Sequence, residues 1–192
     1  MSKRPPMPGR QGNSPKSLSP RLKEMLRVDH AGEYGAVAIY KGQQAIFGKH
    51  QKTRQIAEQL AEMEAEEQAH LDAFDVLLNK HHVRPTALGP IWQVAGFGLG
   101  VATALMGEKA AHACTEAVET VIEKHYADQI AELEGQEEHA ELRNRFIKFR
   151  EDELHHRDVA IEEGAKEAPG YAILSRVIKA GCHAAIRISE KI

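Results

Sequence analysis

Two short stretches, Glu67-Gln68-Ala69-His70 and Glu153-Leu154-His155-His156, each place a carboxylate three residues before an imidazole. On an α-helix that spacing puts both side chains on one face. It is how a helix offers Glu and His to one metal centre. A lone Glu precedes each stretch by 34 positions: Glu33 before Glu67, and Glu119 before Glu153. Two Glu-x-x-His pairs and two single Glu are the set with which four-helix carboxylate proteins hold a pair of metal ions. Four carboxylates and two imidazoles suit two iron ions that keep positions open for dioxygen. Zinc would call for Cys or more His, and manganese is the alternative. Glu67 and Glu153 are the candidates to bridge. Glu33 and His70 would complete one ion's set, and Glu119 and His156 the other's.

A Glu-x-x-His match alone says little in a chain this rich in Glu; the repeat carries the signal. At an offset of 86 positions, Ala31, Glu33, Tyr40, Gln43 and Ala45 fall on Ala117, Glu119, Tyr126, Gln129 and Ala131. Glu67, His70 and Asp72 fall on Glu153, His156 and Asp158 at the same offset. Glu66 and Asp152 also correspond and are candidates to accept the second N–H of the two His. Their alternative role is as surface acids. Tyr40 and Tyr126 lie two turns beyond Glu33 and Glu119, as core tyrosines or as partners of the site. His125 and His155 neighbour these faces without sharing them.

The six residues need four helices in two hairpins. For Glu33 to stand level with Glu67, the chain must turn near residue 50, where Gly48 is found. For Glu119 and Glu153 the midpoint is at Gly135-Gln136. Each arm is then about 16 residues, or about 25 Å, from turn to ligand. Ser19-Pro20 is a helix start, with Ser as cap and Pro in the first turn. Gly32 and Gly35 flank Glu33; glycine within a helix costs roughly 1 kcal/mol against Ala, which suggests close approach of a neighbouring helix or a ligand.

Of the 192 residues, 42% are hydrophobic and 28% charged, with net charge −3. That is enough chain for one domain with a core, and the mild charge argues against nucleic acid as a partner. Residues 1–17, rich in Pro, Gly, Ser and basic residues, read as a disordered tail, and 18–192 as a single helical bundle domain. Residues 1–20 lack the apolar run of a secretory signal, and their prolines oppose an amphipathic targeting helix. Cys114 and Cys182 have no metal or redox spacing and read as reduced thiols. Residues 87–106 carry no charge and approach the length of a membrane span. Pro90, Gly96, Gly98 and Gly100 instead suggest a broken or surface-lying segment, or a buried crossover between the hairpins. The last helix, from Tyr171, is amphipathic and basic. It fits a membrane surface or the open side of the bundle equally well.

Arg27-Val-Asp-His-Ala-Gly-Glu33-Tyr-Gly-Ala36 resembles the opening motif of the demethoxyubiquinone hydroxylases. Gly89-Pro-Ile-Trp92 through Gly107, Ala113-Cys-Thr-Glu-Ala-Val-Glu119 and Phe149-Arg-Glu-Asp-Glu153-Leu-His-His156 resemble the same family. The likeness spans residues 21–192. It implies an all-α, ferritin-like four-helix bundle of two repeated hairpins, with an apolar crossover segment and a C-terminal amphipathic helix. The ligands it implies for two iron ions per chain are Glu33, Glu67, His70, Glu119, Glu153 and His156. The implied reaction is O2-dependent hydroxylation of a demethoxyubiquinone or demethoxyubiquinol ring, with NADH as reductant. A polyprenyl quinone, a peripheral membrane surface and other ubiquinone-biosynthesis proteins are the implied partners. The implied place is the cytoplasmic side of a bacterial inner membrane, or the matrix side of the mitochondrial one. A ferritin-like iron-binding or peroxide-handling protein on the same bundle is the rival reading.

Overall fold

The computed structural model describes residues 18–192; the tail expected at 1–17 lies outside them. Among the described residues there are six α-helices and no strand. They are α1 (Pro20–Phe47), α2 (Arg54–His81), α3 (Gly89–Leu105), α4 (Glu108–Glu132), α5 (Ala140–Glu162) and α6 (Tyr171–Ser189). The architecture is all-α and ferritin-like: α1 pairs with α2 and α4 with α5, giving the two hairpins of a four-helix bundle.

The local signals explain the ends. Ser19 Oγ accepts from the Leu22 N–H at 3.2 Å, and Pro20 occupies the first turn of α1. That arrangement satisfies one of the unpaired N–H groups a helix start leaves. The first hairpin turns at 48–53 and the second at 133–139, the latter with Gly135 in the left-handed region at φ 75°.

Two apolar clusters cap the bundle interior. At one end Leu22 and Leu26 of α1 meet Phe74 and Leu78 of α2, Tyr126 of α4, and Phe146 and Phe149 of α5. At the other, Tyr40, Phe47, Leu60, Met63 and Ala111 pack together. The candidate site lies between these plugs. Its polar residues are thereby held in a water-poor layer.

The central apolar segment is not broken. Residues 89–105 form one continuous helix, with Pro90 in its first turn where no N–H is needed. Its glycines mark contact. Gly96 faces Gly35, and Gly100 faces Ile39, so α3 runs alongside α1 in the same direction. A Cβ on Gly100 would lie 2.1 Å from the Ile39 carbonyl oxygen, which no rotamer relieves. We expect Gly100→Ala to destabilise the fold by about 1–3 kcal/mol through forced displacement of α3. Gly98→Ala, where nothing stands within 4 Å, should be neutral or stabilising by up to about 1 kcal/mol. Urea unfolding of the two variants distinguishes the sites.

As α3 packs on α1, α6 packs on α4, so each hairpin is followed by a helix that docks on its own first arm. Buried Glu116 of α4 pins α6 by accepting from Tyr171 Oη (3.0 Å) and Lys179 Nζ (3.1 Å). Burial works to raise the Glu116 pKa, but the Lys179 hydrogen bond and charge outweigh it and hold the group below the usual range. Neither thiol is in a disulfide; Cys114 is buried and Cys182 half-buried.

Candidate metal centre

Glu33, Glu67, His70, Glu119, Glu153 and His156, one or two from each of the four bundle helices, converge at the middle of the interior. None is more than 4% exposed. Their ligand atoms form two groups, Glu33/Glu67/His70/Glu153 and Glu67/Glu119/Glu153/His156, each with all atoms within 4.8 Å of one another. Glu67 and Glu153 belong to both.

Both imidazoles turn Nδ1 inward. His70 Nδ1 lies 3.4 Å from Glu153 Oε1 and 3.7 Å from Glu33 Oε2; His156 Nδ1 lies 3.0 Å from Glu67 Oε1. Their Nε2 atoms point outward onto carboxylates from the opposite hairpin. His70 meets Asp152 at 3.0 Å, and His156 meets Glu66 at 2.6 Å. An Nε2–H that donates outward leaves an Nδ1 lone pair facing the cluster, which is the tautomer a metal requires. The tyrosines cross between halves too: Tyr40 donates to Glu119 at 2.9 Å and Tyr126 donates to Glu33. They are partners of the carboxylates, not merely core aromatics.

The electrostatics are those of a site built for cations. Both Glu153 oxygens, Glu119 Oε2 and His70 Nδ1 are buried without a hydrogen-bond partner. Burial, and then the charge of the other carboxylates, pushes Glu67 and Glu153 well above the usual range. Burial raises Glu119 to about 7, against the opposing hydrogen bond from Tyr40. Burial would also depress His70, but attraction to Glu33 and Glu67 outweighs it and raises the group to about 9. The 3.7 Å separation from Glu33 makes that attraction one of charge. Glu33 is in turn held below its usual value, His70 overcoming the effect of burial. Unpaired carboxylate oxygens aimed at one another are costly unless positive charge joins them. A metal pair fits this donor set.

On one side of the cluster a cavity of about 380 Å³ opens between α1, α3, α4 and α6. Its wall is mostly apolar, including Ile39, Leu99, Val118, Ile122 and Ile178, and it reaches Glu33 and Tyr126. The single tryptophan, Trp92, also lines it. Asp29 and His125 are part of the same wall. His125 thus lines the cavity without joining the six-residue cluster, in keeping with its reading as a neighbour of that face, and Asp29 was not singled out from the sequence. The signal lay in where the repeat fails. Asp29 and His125 correspond to Thr115 and Ile39 at the common offset.

A four-helix bundle with a buried carboxylate–imidazole cluster and an apolar cavity beside it defines the class: a ferritin-like protein equipped to hold metal. The model of the family "Ubiquinone biosynthesis protein COQ7" matches residues 20–189, and the chain belongs to that family. It is similar to the 3-demethoxyubiquinol 3-hydroxylase of Rhodospirillum rubrum, 48% identical over 93% of this chain and 81% of the relative. It is also similar to the mitochondrial NADPH-dependent 3-demethoxyubiquinone 3-hydroxylase of Mus musculus, 46% identical over 87% of this chain and 76% of the relative. The mitochondrial 5-demethoxyubiquinone hydroxylase of Saccharomyces cerevisiae is 36% identical over 89% of this chain and 78% of that protein.

Proposed function

We propose that the chain hydroxylates the ring of a demethoxyubiquinol in ubiquinone biosynthesis, on two iron ions held by Glu33, Glu67, His70, Glu119, Glu153 and His156. Iron supplies the reduction of dioxygen and the transfer of one oxygen atom to the ring. The observation that carries this reading is a buried cluster with unpaired carboxylate oxygens beside an apolar cavity whose wall includes one of its members, Glu33. An iron store would need the first feature but not the second.

The chain's own residues supply position and exclusion. Glu67 and Glu153, common to both groups, would serve both ions. Asp152 and Glu66 hold the imidazoles in their metal-binding tautomer. The phenylalanine cluster at one end and the Phe47–Leu60–Met63 cluster at the other keep water from the layer between. The apolar wall takes the ring and the start of its tail. A reduced nicotinamide dinucleotide, NADH or NADPH, is the ultimate electron source.

Membrane binding follows from surface chemistry. Among the described residues no helix is long and apolar enough to cross a membrane. Yet Val94 (74% exposed) on α3, and Ile173 (72%) and Val177 (63%) on α6, present apolar side chains to the outside. These are two of the four helices that line the cavity, and Arg176, Arg187 and Lys191 accompany them. Such a face rests on an anionic leaflet, here on the cytoplasmic or matrix side of an inner membrane, and lets a polyprenyl quinone enter without crossing water.

The test supplies iron-loaded protein with a short-tailed demethoxyubiquinol, NADH or NADPH, and isotopically labelled dioxygen. One labelled oxygen atom should appear in the ring; an unaltered quinol sinks the assignment. Replacing Val177 with Glu should weaken sedimentation with anionic vesicles about tenfold, the cost of one exposed apolar contact. Undiminished binding would remove the α3–α6 face from the membrane.

A further inference from the structure

The repeat that builds the metal cluster is broken on one wall of the cavity, and the break is polar. His125 Nε2 stands 3.1 Å from Asp29 Oδ1, and Gln129 Nε2 donates to the same oxygen at 2.8 Å. The corresponding positions in the other half are Ile39, Thr115 and Gln43. The cavity wall therefore carries an acid and an imidazole, together with the isoleucine that corresponds to His125 in the other half. The asymmetry is what a ligand with one polar edge and one apolar end requires.

Asp29 has an unmet need. Its side chain is fully buried, it lines the cavity, and Oδ2 has no hydrogen-bond partner. Two N–H groups already occupy Oδ1, which fixes the carboxylate's orientation and leaves Oδ2 as the free acceptor. A buried carboxylate oxygen without a donor costs free energy that a ligand O–H can recover.

We infer that Asp29 Oδ2 accepts a hydrogen bond from a ring hydroxyl of the substrate, so that the cavity selects a hydroquinone over a ring that carries no O–H. This rests on the reading of the cavity as the quinone site and adds the residue that reads the ring's redox state. A quinone carbonyl at the same place would set acceptor against acceptor. His125 and Gln129 position the carboxylate without needing to touch the ring. Burial raises Asp29 above the usual carboxylate range, and the hydrogen bonds and charge of His125 and the hydrogen bond from Gln129 offset only part of that rise. The ring is then held by its hydroxyl at the polar end, with Glu33 and Tyr126 of the metal side beside it along the same wall.

Trp92, on that wall and alone of its kind, supplies the readout. Two redox-stable probes isolate the hydrogen bond: a methoxy-methylphenol with a short prenyl tail, and its O-methyl ether. Each is titrated into the full-length iron-loaded protein while Trp92 fluorescence is followed. The phenol should bind roughly 10–100-fold tighter than the ether, the worth of a hydrogen bond to a charged acceptor. In Asp29→Asn the two N–H donors still claim the amide oxygen, so the amide nitrogen faces the cavity. The preference should fall to within about threefold. Equal binding of both probes to the unaltered protein overturns the role of Asp29 whether or not the variant folds. Full preference retained in Asp29→Asn does the same. If neither probe perturbs Trp92, the cavity is not the ring's site and the functional reading falls with the assignment.

Discussion

A Glu153→Ala variant is expected to retain little iron and to lose hydroxylation by about 10²-fold or more. Glu153 is singled out by its own atoms. It belongs to both ligand groups, it is 1% exposed, and both of its oxygens lack any partner within the protein. Removing a carboxylate that merely supports a ligand already costs about 10–100-fold in metal affinity. Removing one that belongs to both ligand groups should cost at least as much. Metal content by elemental analysis and product by mass spectrometry check the two halves of the expectation. Loss of activity through misfolding is separable, because Glu153→Gln keeps the side chain's volume while deleting its charge. That variant should bind iron poorly yet melt, without metal, no lower than the unaltered metal-free protein. Full activity in Glu153→Ala would end the assignment.

The convergence was legible because it depends on helix geometry alone. Glu-x-x-His at 67–70 and 153–156, with Glu33 and Glu119 at equal distances ahead and glycines at the midpoints, leaves little freedom once two hairpins close. The structure brings those six side chains together, and the turns fall at 48–53 and 133–139. Glu66 and Asp152 were readable for the same reason. What could not be read was which hairpin each would serve, since periodicity is blind to contacts between halves. The exchange is reciprocal: Asp152 serves His70, Glu66 serves His156, and the tyrosines cross likewise.

Other features were misread through rules that tertiary contact overrides. Gly96 and Gly100 looked like helix breakers in the apolar segment, yet they let α3 lie directly on α1. Propensity charges a glycine its local cost and does not see the neighbour that makes a Cβ impossible. The repeat itself reached further than its identities. Each half holds a third helix docked on its first, α3 on α1 and α6 on α4, but packing surfaces need only small residues in the right places. Asp29 escaped because a search for matching positions discards mismatches, and the same mismatch hid the cavity that His125 lines.

The metal-free protein should lose stability as pH rises from about 5 to 9, while the iron-loaded protein should not. The sign follows from the direction of each shift. Glu67, Glu153 and Glu119 titrate above their unfolded values, Glu119 at about 7. In the folded state they keep protons that the unfolded chain has already released above about pH 4.5. Each step up in pH through that window therefore favours unfolding. His70, raised to about 9, contributes stability that is complete below its unfolded value near 6.5 and is lost as pH climbs through 9. Glu33 runs the other way, but its contribution is complete once pH exceeds its unfolded value of 4.5. His156, lowered by burial, also opposes the trend, and its opposition fades above 6.5. Glu119 alone, displaced from 4.5 to about 7, accounts for about 3 kcal/mol of loss. For a chain of this length that is a fall of about 6–12 °C in melting temperature. Metal replaces those protons with fixed positive charge and flattens the dependence, so the gap between loaded and chelated protein should widen from pH 5.5 to 8.5. Paired thermal melts across that range decide the matter. Parallel curves would mean that the carboxylates are not where the metal's charge is received.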